Sequence, residues 1–197
     1  MFRRTALASA FALVSSVAFA APVTYTIDPG HTQTIFSWNH FGYSNPSANF
    51  DSIEGTLTYD DADPTKSSVD VTIAVDSINS HVKKFDDHLK SDDFFDVAQF
   101  PTATFKSTRV EKGATDGSYK VTGDLTIHGV TKSVTIDAKL NARNEHPMKK
   151  VPAIGFDGAL AIKRSDFGMG KYAPNVSDEV TIRITLEAMG PKPAEAK

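Results

Sequence analysis

The chain has 197 residues, no cysteine, and a formal charge of −3 at neutral pH. Without cysteine, thiol catalysis, disulfide exchange, thioether-linked haem, a cysteine-borne lipid anchor and cysteine-ligated metal are excluded. A mildly acidic chain without Lys/Arg clusters also lacks the basic footprint that nucleic-acid phosphates or an anionic lipid surface need, so no nucleic-acid partner is expected.

Taken from the start, residues 1–20 read as a cleaved signal peptide. Arg3 and Arg4 supply a positive start, 6–19 an apolar run, and Ala18-Phe19-Ala20 the small residues a signal peptidase reads. The expected location is therefore the periplasm, with one domain over 21–190 and a disordered tail over 191–197. The apolar run is shorter than the ~20 residues of a spanning helix and no second run follows, so an integral helical membrane protein is not expected.

Beyond Ala21 the dominant rhythm has a period of two. Val69, Val71, Ile73 and Val75 alternate with Asp70, Thr72, Ala74 and Asp76. The same alternation runs through Tyr119, Val121, Gly123, Leu125 and Ile127, through Val134, Ile136, Ala138 and Leu140, and through Val180, Ile182, Ile184 and Leu186. Such rows turn one strand face to an apolar interior and the other to water. Eight or nine strands are predicted at about 23–27, 32–41, 47–59, 68–76, 102–111, 118–127, 130–142, 154–164 and 178–188. His128-Gly129 separates two of them by a tight hairpin, while KGATDG (112–117) and DDADPTKS (60–67) make looser turns. The fold class predicted is all-β: a single antiparallel barrel of about eight strands.

One segment breaks the rhythm. In SHVKKFDDHL (80–89), Val82, Phe85 and Leu89 fall on one side of a short helix for which Ser80 is a candidate N-cap. Asp92-Asp93-Phe94-Phe95-Asp96 and Phe100-Pro101 follow, so this long connection either covers a binding site or plugs one end of the sheet. Ten phenylalanines and Trp38 lie beyond residue 20, which suits a thick core or an apolar cavity equally.

Catalytic motifs are missing: there is no Gly-x-Ser-x-Gly elbow, phosphate-cradling loop or dinucleotide fingerprint. No metal is expected, since the six histidines form no ligand motif and Asp92, Asp93 and Asp96 lack the glycine and terminal Glu of a calcium loop. His81 and His88 flank the helix, where Asp86 or Asp92 can partner them. His128 reads as a turn residue. His40 continues the row Thr34, Phe36, Trp38 and is expected inside, as a core histidine or as a polar contact in a cavity. Around Arg164-Ser165-Asp166-Phe167, either a local Arg–Asp pair fixes the turn or a charged rim meets an anionic head.

Four stretches together carry a resemblance: IDPGHTQTIFSWNHFG (27–42), HLKSDDFFDVAQFPTATF (88–105), GDLTIHGVTKSV (123–134), and RSDFGM (164–169) followed by SDEVTIRITLEA (177–188). In order, they span the chain beyond residue 20, and it resembles the YceI-like family of secreted polyisoprenoid-binding proteins. That resemblance implies a lipocalin-like barrel around a long apolar tunnel, holding an isoprenoid or similar amphipathic lipid, without catalytic residues or another cofactor. His31-Thr32, Asn49 and the bulky Trp38 depart from the usual pattern, and an inward indole would narrow the tunnel.

On this reading Phe36, Trp38, Phe50, Phe105 and Phe156 form the tunnel wall. Phe85, Leu89, Phe94 and Phe95 form its covering edge, and His40 and Arg164 are candidates for a polar head group. The function expected is sequestration or transport of an isoprenoid or isoprenoid quinone. Three alternatives stay open: a packed barrel that binds protein partners, a hydrolase of a lipid-linked substrate using His40 or His88, and a small outer-membrane barrel. Edge strands and one open mouth leave room for a homodimer.

Overall fold

Among the described residues, eleven strand segments and one α-helix order the chain: β1 (Val23–Ile27), β2 (Gln33–Ser37), β3 (Ser47–Phe50), β4 (Ile53–Tyr59), β5 (Ser68–Ala74), β6 (Ile78–Asn79), α1 (Lys83–Lys90), β7 (Thr102–Lys112), β8 (Ser118–Ile127), β9 (Val130–Glu145), β10 (Pro152–Lys163) and β11 (Glu179–Met189). The structure is a computed structural model and describes residues 21–192. The expected signal peptide over 1–20 and residues 193–197 of the expected tail lie outside the described residues.

Hydrogen bonding runs β1-β4-β5-β7-β8-β9-β10-β11, all antiparallel, and β11 returns to β1 through Thr26↔Met189 and Ile27↔Ala188. The ring of eight is closed. Closure removes the exposed edges that would otherwise invite strand addition. Further along β11, β2 pairs through Thr185↔Gln33 to Thr181↔Ser37, β3 pairs with β2, and β6 pairs with β3. Thus β1 and β2 are two halves of one bent strand, as are β3 and β4, and β5 and β6.

The expected strand 47–59 is therefore bent at Asp51-Ser52. The backbone N–H of Asp51 donates to Ser77 O and that of Ala74 donates to Ser52 O, so the ladder continues across the bend. Opposite it, the 3-10 turn Val75–Ser77 supplies the extra residues, a bulge that re-aims both strands. Between β8 and β9, His128 and Gly129 both take positive φ, 51° and 71°, as a type I′ hairpin requires. A side chain at Gly129 would also meet the Phe100 ring 2.5 Å away. In β8, Gly123 leaves the inward space that the Phe105 ring fills, since a Cβ there would lie 2.5 Å from Phe105 Cζ.

The helix starts later than expected. Ser80 is not its cap: His81 turns with φ 63°, Val82 precedes the first helical residue, and Ser80 N donates to Asp86 Oδ1 at 2.7 Å. Val82 is consequently 57% exposed, while Leu89 is buried and Phe85 packs beside it. Burial is worth roughly 1.5–3 kcal/mol for a fully enclosed Phe or Leu. Those two residues attach α1 to one end of the barrel.

Apolar packing divides into two clusters. Phe36, Trp38, Phe50, Leu89, Phe167 and Met169 belong to the cluster at the helix end. Tyr25, Ile27, Leu57, Tyr59, Ile154 and Ala188 form the cluster at the opposite end.

Candidate functional site

Inward side chains of the eight strands do not fill the barrel. They surround a cavity of about 560 Å3 that extends from the helix end to the end marked by Tyr59 and Tyr119. That volume lies within the roughly 300–1,000 Å3 of small-molecule pockets. Its walls are almost wholly apolar, because the alternating rows of β5, β8, β9 and β11 turn Val, Ile and Leu inward.

Aromatic rings crowd the helix end. Phe36 stacks on Trp38 at 5.7 Å and on Phe50 at 5.4 Å, and Phe95 meets both Phe36 and Phe50 edge-on. From α1, Phe85 reaches the Trp38 indole at 5.5 Å. Phe94, Leu89 and Phe105 also line the cavity, and Phe156 lies toward the far end. The fold thus brings Phe36, Trp38, Phe50, Phe85, Leu89, Phe94, Phe95, Phe105 and Phe156 around one space, joined at its margin by His40 and Arg164.

His40 does not sit in the interior. β2 ends at Ser37, and Phe41 and Gly42 then turn with φ 54° and 78°, so the alternating row lapses after Trp38. His40 bridges Ser44 and Val176 and is exposed at the rim, its ring edge-on to Phe41 at 4.6 Å.

Arg164 is buried at 6% exposure, and its guanidinium faces backbone. Nε donates to Ser177 O at 2.8 Å, Nη2 to Val176 O at 2.8 Å, and Nη1 to Lys171 O at 2.7 Å and to Met169 O. Four of its five N–H donors are engaged, which pins the loop between β10 and β11 rather than offering a fork to an anion. The expected local pair with Asp166 does not form. Asp178 instead accepts from Ser165 N and Ser165 Oγ, and these bonds hold its carboxyl below the usual range.

Across the mouth, Asp93 joins two segments. Lys171 Nζ donates to its Oδ1, and His88 Nε2 lies 3.1 Å from its Oδ2. The Lys171 ammonium, then His88, holds Asp93 below the usual carboxylate range. The partner of His88 is therefore Asp93, not Asp86 or Asp92. Tyr172 closes the group, 6.2 Å from Phe94 and 6.3 Å from His88.

Metal-ligand chemistry gathers elsewhere, outside the barrel wall. One ligand atom each from Asp28, His31 and Glu187 lie within 4.8 Å of one another. A cation from the chain already serves them: Lys149 Nζ sits 2.9 Å from Asp28 Oδ2 and holds that carboxyl down to about 2, helped by the Gly30 N–H and His31.

Sequence reasoning missed Tyr59 and Tyr119, both buried cavity residues whose hydroxyls are 3.1 Å apart. Tyr119 leads an alternating row whose face was legible. Tyr59 likewise follows Leu57 at a spacing of two. Their contact, 60 residues apart, was not legible.

Comparison with known proteins places the molecule among relatives. A model of the YceI-like domain matches residues 25–188. The chain is 37% identical over 182 residues to Protein YceI of Escherichia coli O17:K52:H18, covering 91% of this chain and 94% of that one. Burkholderia cenocepacia BcnA superposes with a TM-score of 0.74 at 29% identity, over 82% of this chain and 99% of its own. A polyisoprenoid binding domain from Saccharophagus degradans, 16% identical, shares the fold at a TM-score of 0.65, over 86% and 99%.

Proposed function

The chain belongs to the YceI-like family, and from that premise we propose that it binds a long-chain lipid without catalysis, sequestering or carrying an isoprenoid or isoprenoid quinone in the periplasm. The observation that carries this reading is the apolar cavity running the length of the barrel. Each methylene moved from water into such a space is worth roughly 0.8 kcal/mol, so part of a prenyl chain gives useful affinity without covalent chemistry. A packed barrel would have no such space. The Saccharophagus degradans domain, named for polyisoprenoid binding, supports the choice of ligand class by analogy of fold.

One further feature favours binding over turnover: the Arg164 guanidinium is held by backbone carbonyls, so it does not stand free to act on a substrate in the cavity. The periplasmic setting rests on the composition of residues 1–20.

Native mass spectrometry of the mature protein purified from its own periplasm, followed by organic extraction, tests the proposal. A discrete co-purifying lipid is expected. It should be lost in Phe36→Asp or Trp38→Asp, which put a charge into the aromatic wall, provided circular dichroism shows the barrel intact. A clean unliganded mass, with no uptake of added prenyl lipids, would overturn the carrier reading and turn attention to protein partners.

A further inference from the structure

Opposite α1, three rings from three parts of the wall meet across the tunnel. Phe156 of β10 lies 6.3 Å from Tyr59 of β4 and 6.2 Å from Tyr119 of β8, centroid to centroid. In the hydrogen-bonded ring β5 and β7 separate β4 from β8, and β9 separates β8 from β10. The rings therefore form a floor.

That floor carries an unused hydrogen bond. Tyr59 is 6% exposed and Tyr119 8%, and their hydroxyl oxygens are 3.1 Å apart. Two hydroxyls hold two protons, and the bond between them uses one. Among the described residues no protein acceptor takes the other. A buried donor facing an apolar cavity needs a partner, and the cavity is where the partner must come from.

We propose that the Tyr59–Tyr119 pair is a subsite for an uncharged oxygen acceptor, a ketone or quinone carbonyl, so that the bound lipid lies polar end inward with its prenyl tail toward α1. This rests on the lipid-binding reading above and adds the chemistry and direction of the cargo.

Charge argues for a neutral acceptor rather than a phosphate. The Arg143 guanidinium stands 5.6 Å from the Tyr59 ring centre and is already paired with Asp61 at 2.6 Å. Burial also pushes the Tyr59 phenol well above its ordinary range, the mark of surroundings that disfavour negative charge.

Three probes with closely similar isoprenoid tails separate the possibilities: geranylgeranylacetone, which ends in a ketone, the hydrocarbon phytane, and geranylgeranyl diphosphate. Trp38, the sole tryptophan and a wall residue, reports their binding to mature, lipid-stripped protein by fluorescence. With 13C at the ketone, infrared spectroscopy reads whether the carbonyl accepts a hydrogen bond. Expected are a ketone affinity about five- to tenfold above that of phytane, the scale of one neutral hydrogen bond, and a carbonyl stretch moved to lower wavenumber. The diphosphate should bind more weakly than the ketone.

The variants carry a signature that a merely structural role would not produce. Tyr59→Phe and Tyr119→Phe should each keep the shifted carbonyl, because the remaining hydroxyl is released from its partner and donates to the ligand. The double variant should lose both shift and preference while binding phytane as the parent does, which also shows that it is folded. If the double variant fails to fold, the carbonyl frequency in the parent decides. Equal affinity for ketone and phytane with an unshifted carbonyl, or tightest binding of the diphosphate, overturns the inference and leaves lipid binding standing. Failure of all three probes overturns lipid binding itself.

Discussion

At the scale of single residues, Arg164 shows how a charged side chain can belong to a cavity's margin and still serve the fold. Its four hydrogen bonds end on Met169, Lys171, Val176 and Ser177, all in the irregular stretch between β10 and β11. Carbonyls in such a stretch have no strand partner, so a planar fork with five donors is the economical way to satisfy several at once. Replacing it with methionine keeps the length and removes every donor. Water can reach part of the loop, so the expected loss for Arg164→Met is about 3 kcal/mol, well short of four full charged hydrogen bonds. For a domain of this size the thermal midpoint should then fall by roughly 6–12 °C. Arg164→Lys should recover less than half of that, because an ammonium is a compact point charge without the fork. His40→Ala, at the exposed rim, should stay within about 0.5 kcal/mol of the parent. Thermal melts of the three variants check the ordering, and a silent Arg164→Met would dismiss the structural role.

Elements are held by ties of the same kind, placed where strands bend. Asp28 lies in the bend between β1 and β2, accepts from Gly30 N at 3.0 Å, and reaches the β9–β10 connection through Lys149. Its carboxyl is held at about 2 against an ordinary 3.8. Above about pH 4 it is ionised in both folded and unfolded chains, and the tie contributes in full. Between about 4 and 2 the unfolded chain takes up a proton that the folded one refuses, so stability falls as pH falls, and below 2 the contribution is gone. Asp28→Asn should therefore lower the melting midpoint at pH 7, and the gap between variant and parent should close as pH drops from 4 toward 2. A gap that stays constant with pH would mean that the carboxylate's charge plays no part. The same scale explains what could be read from residues alone. Alternation in 69–75, 119–127 and 180–186 marks faces, because period two is a local property, and it put Phe36, Trp38 and Phe105 on the inward side. The bend at Asp51-Ser52 was not legible, since the Val75–Ser77 turn across the ladder sets it. Nor were the partners of Arg164, which the irregular course of the β10–β11 loop sets, or the Tyr59–Tyr119 contact, which depends on closure of the whole ring. His40 misled for the converse reason: the row pointed inward, but the turn at Phe41-Gly42 ended the strand first.

For the molecule as a whole, an apolar cavity is a structural liability that a ligand removes. Atoms lining a void have no partners on one side and forfeit part of their dispersion attraction. A closed barrel can tolerate this because its ladder is continuous around the ring and both ends are packed, by the cluster under α1 and by the cluster around Tyr25 and Ile154. Filling the cavity adds contacts that only the folded state can make, so bound lipid stabilises by mass action, about 2.7 kcal/mol when free ligand stands at 100 times its Kd. At 2–4 °C per kcal/mol, removing the lipid should lower the thermal midpoint by roughly 5–11 °C, and adding it back should restore the loss in proportion to the logarithm of its concentration. Tyr59→Phe/Tyr119→Phe should keep most of this gain, since the tail provides most of the buried area. Trp38→Asp should abolish it. Scanning calorimetry of stripped and reloaded protein measures all three, and equal midpoints with and without lipid would locate the barrel's stability entirely in its walls.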